Sequence, residues 1–261
     1  MKEMLTPDEL RAVKFYEGDI PECDSSDPFW GDARAYVTLN ALLYDDLATE
    51  YTRVREGKQL NPEMLRDRNR LLALYAALHS AAEKGAGMCS MTGYRVERAR
   101  DFQVCLQKGM TCAFTSTSID GFLPAYGDKQ EIVLLTYHVP AGVPRIVFSE
   151  MLDSYRKSSE NEMLLPPFLR FTVRERPLSD AECTITDLND EPPKAAYLLE
   201  IQKAQEAVPA IGDDTWNDVY PAVCRLYAQM QSQTPEAALD PADCAAYLQC
   251  KRAIQRFVKS L

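Results

Sequence analysis

Apolar residues recur at every third or fourth position through the first third of the chain, which is the spacing of amphipathic helices. Thr6, Pro7 and Glu9 supply a capping hydroxyl, a proline at the first helical position and a glutamate three residues after the cap, so they predict a helix start. Asn61 precedes a second Pro-Glu start, and Gly85 lies where that helical pattern ends. This part of the chain is therefore predicted to be helical.

The pattern changes after Gly87 to short runs of β-branched and aromatic residues separated by turn signals. The strongest run, 131–139, ends at a Pro-Ala-Gly turn. Other strands are predicted at 92–98, 111–116, 145–148, 162–165, 169–175, 184–186 and 197–201. Helices followed by clustered strands, without regular alternation of the two, predict an α+β fold.

Helical spacing returns in the last part of the chain. Val219, Val223 and Leu226 form one apolar stripe, and Ile254 and Phe257 belong to a second. Stripes of this kind are normally packing surfaces, so we expect other parts of the protein to cover them. The predicted organisation is one domain at 1–211, with a helical part at 1–88 and a β core at 89–211, followed by a C-terminal helical extension at 212–261.

The charge and hydropathy of the chain exclude two classes of partner. The 261 residues carry a formal charge of −10, which disfavours non-specific nucleic-acid binding because such binding needs clustered Lys and Arg. No run of about 18 apolar residues is present, and the first residues contain no apolar secretion signal. We therefore predict neither a nucleic-acid partner nor a membrane partner.

The cysteines and histidines bear on compartment and metal content. Eight cysteines without a Cys-x-x-Cys pair predict reduced thiols in a reducing, cytoplasmic compartment, with delivery to another cell by a non-classical route left open. With only two histidines, a zinc site of mixed ligands is not expected, and no metal is predicted. The sequence also lacks the Gly-rich dinucleotide-binding motif, the P-loop, and the Gly-x-Ser-x-Gly motif that an α/β-hydrolase needs.

Three short elements carry the candidate chemistry, and each lies on or beside a predicted strand. They are Gly-Tyr-Arg at 93–95, Phe-Thr-Ser-Thr-Ser at 114–118, and Glu-Asn-Glu at 160–162, which runs directly into Met-Leu-Leu-Pro. Taken singly, each has an ordinary structural interpretation as a strand-edge charge, a turn or a solvated strand end. Taken together and in this order, they resemble the Arg, Ser-Thr-Ser and Glu-x-Glu motifs of the mono-ADP-ribosyltransferases, which transfer ADP-ribose from NAD.

The resemblance extends over roughly 5–205 and includes sequence beside the motifs. Val-Pro-Ala-Gly at 139–142 follows a long strand as in that family, and Tyr-Val-Thr-Leu-Asn at 36–40 resembles its N-terminal helical signature. The resemblance implies an ADP-ribosyltransferase-like fold. N-terminal helices would be packed on a two-sheet β core, C-terminal helices would be added to it, and NAD would lie in the cleft between the sheets.

The resemblance also implies a role for each motif residue. A guanidinium binds phosphate oxygens as a fork, so Arg95 is the candidate for the NAD pyrophosphate. Cleavage of the nicotinamide–ribose bond builds positive charge on the ribose, which the carboxylate of Glu162 would oppose. Ser116 would hold Glu162 in place, because an unrestrained carboxylate loses its pre-organised position. Thr117 and Ser118 complete the Ser-Thr-Ser part of the NAD site.

Glu160 is the candidate for acceptor recognition. Residues two apart on a strand share a face, so Glu160 would lie beside Glu162 if the strand begins early enough. In the resembled family, glutamate at the first position of the pair goes with arginine as acceptor, and Glu160 would dock its guanidinium and take the proton as the new bond forms. Tyr155, just before it, either contacts the target protein or packs on the sheet.

Two further positions belong to the predicted NAD site. The backbone of Val96 would bind the nicotinamide amide, although many family members have glycine there, and a tighter pocket would alter the affinity for NAD. Tyr126 would either stack on the nicotinamide ring or be a core aromatic residue.

The predicted function is therefore an arginine-directed mono-ADP-ribosyltransferase, acting as a toxin, an effector or a self-modifying regulator on a protein acceptor, with NAD as co-substrate and no metal. The alternatives are an NAD glycohydrolase on the same scaffold, with water as acceptor, and a non-catalytic interaction module.

Overall fold

The computed structural model describes residues 5–18, 27–29, 35–44, 46–55, 57, 60–122, 131–152, 161–202, 219–232 and 234–261. The chain divides into two compact units. One consists of Leu5–Ser80 with Glu206–Leu261, and the other of Ala81–Gln205. The described elements of the first are all helices, and the second contains all the described strands.

The described elements are, in chain order, eight α-helices and seven strands. The helices are α1 (Pro7–Glu17), α2 (Ala35–Ala41), α3 (Ala48–Arg55), α4 (Arg68–Lys84), α5 (Ala99–Lys108), α6 (Phe148–Met151), α7 (Val219–Gln231) and α8 (Pro241–Ser260). The strands are β1 (Met91–Arg98), β2 (Thr115–Ser118), β3 (Ile132–Val139), β4 (Ile146–Val147), β5 (Glu162–Leu165), β6 (Arg170–Arg176) and β7 (Ala195–Gln202). The predicted α+β class is confirmed. None of the helices in the described ranges is long and apolar enough to cross a bilayer.

The start of α1 follows the predicted capping pattern. The Thr6 hydroxyl accepts a hydrogen bond from the Glu9 amide at 3.3 Å, and the Glu9 carboxylate accepts one from the Thr6 amide at 2.6 Å. This reciprocal capping box satisfies two amides that the helix itself leaves without acceptors. The helix ends at Gly18, whose φ of 89° is accessible to glycine at low cost.

The C-terminal helices belong to the same compact unit as residues 5–80. The two predicted stripes are packing surfaces: Val219, Val223, Leu226 and Ile254 are buried. Burial of these stripes against other helices removes apolar surface from water, which is why the C-terminal segment joins a larger core. The predicted boundaries themselves stay a prediction.

A buried polar network connects α8 to α3. The ammonium of Lys251 donates to the Glu50 carboxylate at 2.8 Å and to the Asp46 carbonyl at 2.7 Å, and the Lys251 and Glu50 side chains are both 0% exposed. Tyr247 donates to the other Glu50 oxygen at 2.6 Å, and its hydroxyl lies 2.9 Å from that of Tyr227 on α7. Burial raises the pKa of Glu50 above its ordinary value. The pairing with Lys251 offsets that cost of burial.

Replacing Lys251 with Met is expected to lower the free energy of unfolding by about 3–5 kcal/mol, because it leaves the Glu50 carboxylate buried without its cation. The double variant Glu50→Leu/Lys251→Met should recover most of that loss, since no buried charge remains. Urea unfolding followed by circular dichroism measures both. Arg252→Met, at an exposed position on the same helix, is the control. A Lys251→Met protein within about 1 kcal/mol of the parent would show that the pair does not join the helices as described.

The seven described strands form one hydrogen-bonded sheet in the order β4-β5-β2-β1-β3-β7-β6. The predicted two-sheet core is therefore corrected to a single continuous sheet. β1 pairs with β3 along its whole length, β3 with β7 in parallel, and β7 with β6 antiparallel. β1 and β2, by contrast, share a single register pair, Tyr94 with Ser118. The sheet thus consists of two well-paired groups of strands, β4-β5-β2 and β1-β3-β7-β6, joined at one point.

Gly93 allows the close approach of β1 and β2 at that point. A Cβ atom added there would lie 2.4 Å from the Thr117 hydroxyl oxygen and 2.8 Å from the terminal methyl of Met163. Only a residue without a side chain fits between them. The junction between the two groups of strands therefore depends on this glycine.

Strand alternation gives the sheet two different faces. The face covered by α5, called here the α5 face, carries the main apolar cluster, with Leu135, Tyr137, Met163 and Leu199 among its members and Phe102 of α5 packed on it. The opposite face carries a smaller cluster around Val96, packed with Phe122, Leu178 and Ile185. The strand predicted at 184–186 does not form: Thr184 ends a 3-10 helix at Glu182–Thr184, and the next two residues have no regular structure.

A bidentate ion pair between Glu182 and Arg176, the last residue of β6, fixes the 3-10 turn. Arg176 contacts the two carboxylate oxygens of Glu182 at 2.5 and 2.8 Å. These hydrogen bonds lower the pKa of Glu182 from an ordinary 4.5 to about 2. The carboxylate is therefore more acidic in the folded protein than in the unfolded chain.

A folded-state pKa below the unfolded value means that the pair stabilises the fold above pH 4.5 and loses its effect as the pH falls towards 2. Glu182→Gln should therefore lower the melting temperature at pH 7, and the gap to the parent should shrink steadily below about pH 5. Thermal melts between about pH 7 and pH 2.5 measure it. Glu191→Gln, an exposed carboxylate of the same unit, is the control. A gap that does not change with pH would contradict the assignment.

Candidate active site

The topology places the three sequence motifs on neighbouring strands. Arg95 lies in β1, the Ser-Thr-Ser motif forms β2, and Glu162 is the first residue of β5. β2 is between the other two, with Ser118 opposite Glu162 on one side and opposite Tyr94 on the other. Elements distant in sequence thus meet in one row across the sheet.

The Ser116 hydroxyl donates a hydrogen bond to a carboxylate oxygen of Glu162. Ser116 is directly opposite Leu164 in the register, so the hydroxyl reaches Glu162 diagonally along the antiparallel pair. Both residues are half-buried and lie on the same face of the sheet. Among the described residues, the predicted serine–carboxylate contact is therefore present.

The Arg95 guanidinium lies at the junction of β1 and β2. Its Nη1 donates to the Ser116 carbonyl at 2.8 Å. Its position opposite Leu135 puts Arg95 on the α5 face, whereas Ser116 and Glu162 belong to the opposite face. The guanidinium reaches the Ser116 backbone because β1 and β2 share only one register pair beside it. Arg95, Ser116 and Glu162 are consequently linked by successive contacts.

Glu97 is a residue of this site that the sequence analysis did not identify. One of its carboxylate oxygens lies 2.7 Å from Nε and 2.5 Å from Nη2 of Arg95. The other oxygen accepts a hydrogen bond from the Arg98 amide at 3.0 Å. The available signal was the i, i+2 spacing of Arg95 and Glu97 on a predicted strand, which puts both on one face.

Three predicted NAD-site residues have structural contacts. Val96 is buried in the cluster opposite the α5 face, so its side chain fills core space there. The Thr117 hydroxyl donates to the Met163 carbonyl at 3.0 Å and connects β2 to β5. The Ser118 hydroxyl accepts from the Asp120 amide at 3.3 Å and fixes the turn after β2. A role of Val96, Thr117 and Ser118 towards NAD stays a prediction.

Glu160, Tyr155 and Tyr126 lie outside the described residues, and their roles stay predictions. Asn161, between the two glutamates, is described and firmly held. Its carbonyl accepts from the Ile119 amide at 2.8 Å, and its side-chain oxygen accepts from the Ser149 hydroxyl at 2.8 Å. The chain is therefore fixed immediately before Glu162.

The α5 face beneath Arg95 contains ionisable groups in surroundings of low polarity. Burial raises the pKa of Tyr137. A hydrogen bond with the Cys112 side chain lowers the pKa of Cys105 on α5. Every cysteine in the described part of the chain is a free thiol. Within the described ranges, no group of three or more His, Cys, Asp or Glu side chains is arranged to hold a metal ion.

This arrangement joins a half-buried carboxylate, held by a hydroxyl, to a guanidinium through one serine. A carboxylate in a fixed position can stabilise positive charge that develops beside it. A guanidinium can bind an anion through paired N–H groups. The two side chains are therefore of the types that bind a phosphate and oppose a developing cation, while Arg95 lies on the α5 face and its Nε and Nη2 contact Glu97.

Comparison with known proteins gives similarity at the level of the chain's shape alone. No protein-family model and no curated protein sequence matches the chain. Among solved structures, Plx2a, an ADP-ribosyltransferase toxin from Paenibacillus larvae, is 13% identical with a TM-score of 0.43, over 76% of this chain and 88% of that one. The C3 exoenzyme of Clostridium limosum is 13% identical with a TM-score of 0.44, over 77% of this chain and 88% of the exoenzyme.

A third similar structure is the ADP-ribosylating toxin BECa of a binary enterotoxin of C. perfringens, determined with NADH. It is 15% identical with a TM-score of 0.46, over 76% of this chain and 44% of BECa, so the chain spans less than half of that toxin's length. Similarity this distant carries no argument about activity. The functional assignment has to rest on the side chains of the site.

Proposed function

We propose that the chain is a mono-ADP-ribosyltransferase that cleaves the nicotinamide–ribose bond of NAD and transfers ADP-ribose to an arginine side chain of a protein acceptor. The observation that carries the proposal is the contact series Arg95–Ser116–Glu162, which connects the three sequence motifs on adjacent strands. Arg95 contacts the carbonyl of Ser116 and Glu162 accepts from its hydroxyl, so one residue of the Ser-Thr-Ser motif contacts a residue of each other motif.

Glu162 is the proposed catalytic carboxylate. Loss of nicotinamide leaves the ribose with positive charge, and a carboxylate held beside that charge lowers the barrier. The hydroxyl of Ser116 donates a hydrogen bond to Glu162 and would hold the carboxylate in position before the substrate binds. This arrangement avoids part of the cost of orienting the group during reaction.

Arg95 is the proposed anchor for the NAD pyrophosphate. The chain as a whole is acidic, with a formal charge of −10, so a substrate with two phosphates needs a local cation. The donor set fits NAD, because a guanidinium for the pyrophosphate and a carboxylate for the ribose are linked through one residue. Neither group requires a metal.

The arginine acceptor is the finer part of the proposal and rests on Glu160 in the sequence. A guanidinium has a pKa above about 12 and stays protonated until the new bond forms. A carboxylate at Glu160 would hold it as an ion pair and accept its proton during transfer. The competing function, hydrolysis of NAD with water as acceptor, needs Glu162 but not Glu160.

Glu162→Gln is expected to lower the rate of nicotinamide release by about 10²–10³-fold, because the amide keeps the shape but not the charge that opposes the cation. Release of nicotinamide from NAD, measured by chromatography, checks it. Glu200→Gln, a half-exposed carboxylate on β7, should match the parent. A Glu162→Gln enzyme within about tenfold of the parent would remove Glu162 from the catalytic role.

Glu160→Gln is expected to abolish ADP-ribosylation of an alkylguanidine acceptor while nicotinamide release continues. The lost ion pair and the lost proton acceptor affect only the transfer step. One reaction with NAD labelled in its ADP-ribose part gives the labelled guanidine, and chromatography of the same reaction gives the nicotinamide released. Loss of both would place Glu160 in the cleavage step. A parent enzyme that releases nicotinamide but leaves the guanidine unmodified would refute the arginine acceptor and favour hydrolysis.

A further inference from the structure

We propose that Glu97 is a positioning residue, which holds the Arg95 guanidinium at the junction of β1 and β2 and thereby sets the position of Ser116 and Glu162. This inference rests on the proposed function for its kinetic consequence. Its structural part rests on contacts among the described residues alone.

The contact of Glu97 with Arg95 is close and partly shielded from water. One carboxylate oxygen receives two N–H groups of the guanidinium, at 2.7 Å from Nε and 2.5 Å from Nη2. The Arg95 side chain is 30% exposed and that of Glu97 is 16% exposed. An ion pair with this degree of burial is screened less by solvent than a surface pair.

Glu97 is itself held in place by the backbone. Its second oxygen accepts a hydrogen bond from the Arg98 amide at 3.0 Å. The carboxylate is therefore fixed at both oxygens, one by the main chain and one by the guanidinium. A flexible arginine side chain that meets such a fixed acceptor loses most of its alternative conformations.

The position of Arg95 matters because the ladder between β1 and β2 is so short. Only Tyr94 and Ser118 are paired in register, and beside that pair Nη1 of Arg95 donates to the Ser116 carbonyl at 2.8 Å. This side-chain contact is an additional link between β1 and β2 beside the paired residues. Since the Ser116 hydroxyl contacts Glu162, a displaced Arg95 would remove one contact to the β2 backbone and let Ser116, and the carboxylate bonded to it, shift in position. The pairing of β2 with β5 would remain.

A carboxylate on the guanidinium has a second consequence, which allows a kinetic test. An anion bound to Arg95 competes with the phosphates of NAD, so its removal would strengthen NAD binding if competition were its main effect. A positioning role predicts instead a lower kcat, because Glu162 is then less well placed in the transition state. Competition therefore predicts a lower KM in the absence of the carboxylate, and positioning predicts a lower kcat.

Four proteins form the experiment: the parent, Glu97→Gln, Arg95→Ala and the double variant. For nicotinamide release, we expect Glu97→Gln to lower kcat by about fivefold to fiftyfold. We expect the double variant to match Arg95→Ala within about twofold, because Glu97 acts only through Arg95. The control is Glu182→Gln, which removes an Arg–Glu pair of similar length in the same unit and should leave kcat unchanged.

Two kinetic outcomes would overturn the inference. An unchanged kcat in Glu97→Gln would exclude the positioning role. A lower KM would then show that Glu97 competes with NAD for Arg95, and an unchanged KM would show no effect on turnover. If Glu97→Gln lowered kcat by the same factor in the parent and in the Arg95→Ala protein, Glu97 would act through a residue other than Arg95.

Hydrogen exchange of the β2 segment Thr115–Ser118, measured by mass spectrometry, tests the structural part without any activity. We expect this segment to exchange faster in Glu97→Gln and in Arg95→Ala than in the parent. The double variant should exchange no faster than Arg95→Ala, and Glu182→Gln should exchange as the parent does. If the parent releases no nicotinamide, the proposed function fails, and the exchange result alone decides the positioning role. Unchanged exchange of this segment in Glu97→Gln overturns that role whatever the activity.

Discussion

The junction between β1 and β2 is the constraint on which the candidate site depends. A single register pair connects β1, which pairs with β3 over eight residues, to β2, which pairs with β5 over four. The absence of a side chain at Gly93 lets the strands meet, and Arg95 supplies a contact to Ser116 beside the pair. Every candidate catalytic group in the described chain is within two residues of these contacts or bonded to one of them. The site is therefore formed where the sheet is held least by its own ladder.

Much of the local structure could be predicted because its signals are local. The capping box at Thr6, the strand ending at Val139 and the apolar stripe at Leu226 each depend on residues close in sequence. The three motifs are short and lie on strands, so Arg95, Ser116 and Glu162 could be identified as candidates that belong together. Their meeting on adjacent strands is then a consequence of the strand order, which places β2 between β1 and β5.

The parts that could not be predicted depend on partners distant in sequence or on competing patterns. The two-sheet core was implied by the family resemblance, and the sequences of β1 and β2 do not show that one register pair joins the two groups of strands. Helix α5 directly follows β1 without a side-chain cap, so nothing marked its start at Ala99. The pairing of Glu50 with Lys251 joins residues far apart in the chain, and a buried lysine is not expected from an amphipathic stripe. Glu97 escaped notice because an acidic residue near a strand end usually faces solvent.

The acidic composition of the chain bears on how strongly Arg95, paired with Glu97, can attract a phosphate. In a chain with a formal charge of −10, an arginine that binds an anionic substrate lies in an unfavourable overall field. A neighbouring carboxylate weakens its attraction for phosphate further, so affinity alone would select against Glu97. The carboxylate is nevertheless fixed at both oxygens and directed at the guanidinium. Under the proposed function, such an arrangement would give up some attraction for the ground-state substrate and would keep Glu162 in place for the transition state, and only the latter raises the rate of the chemical step.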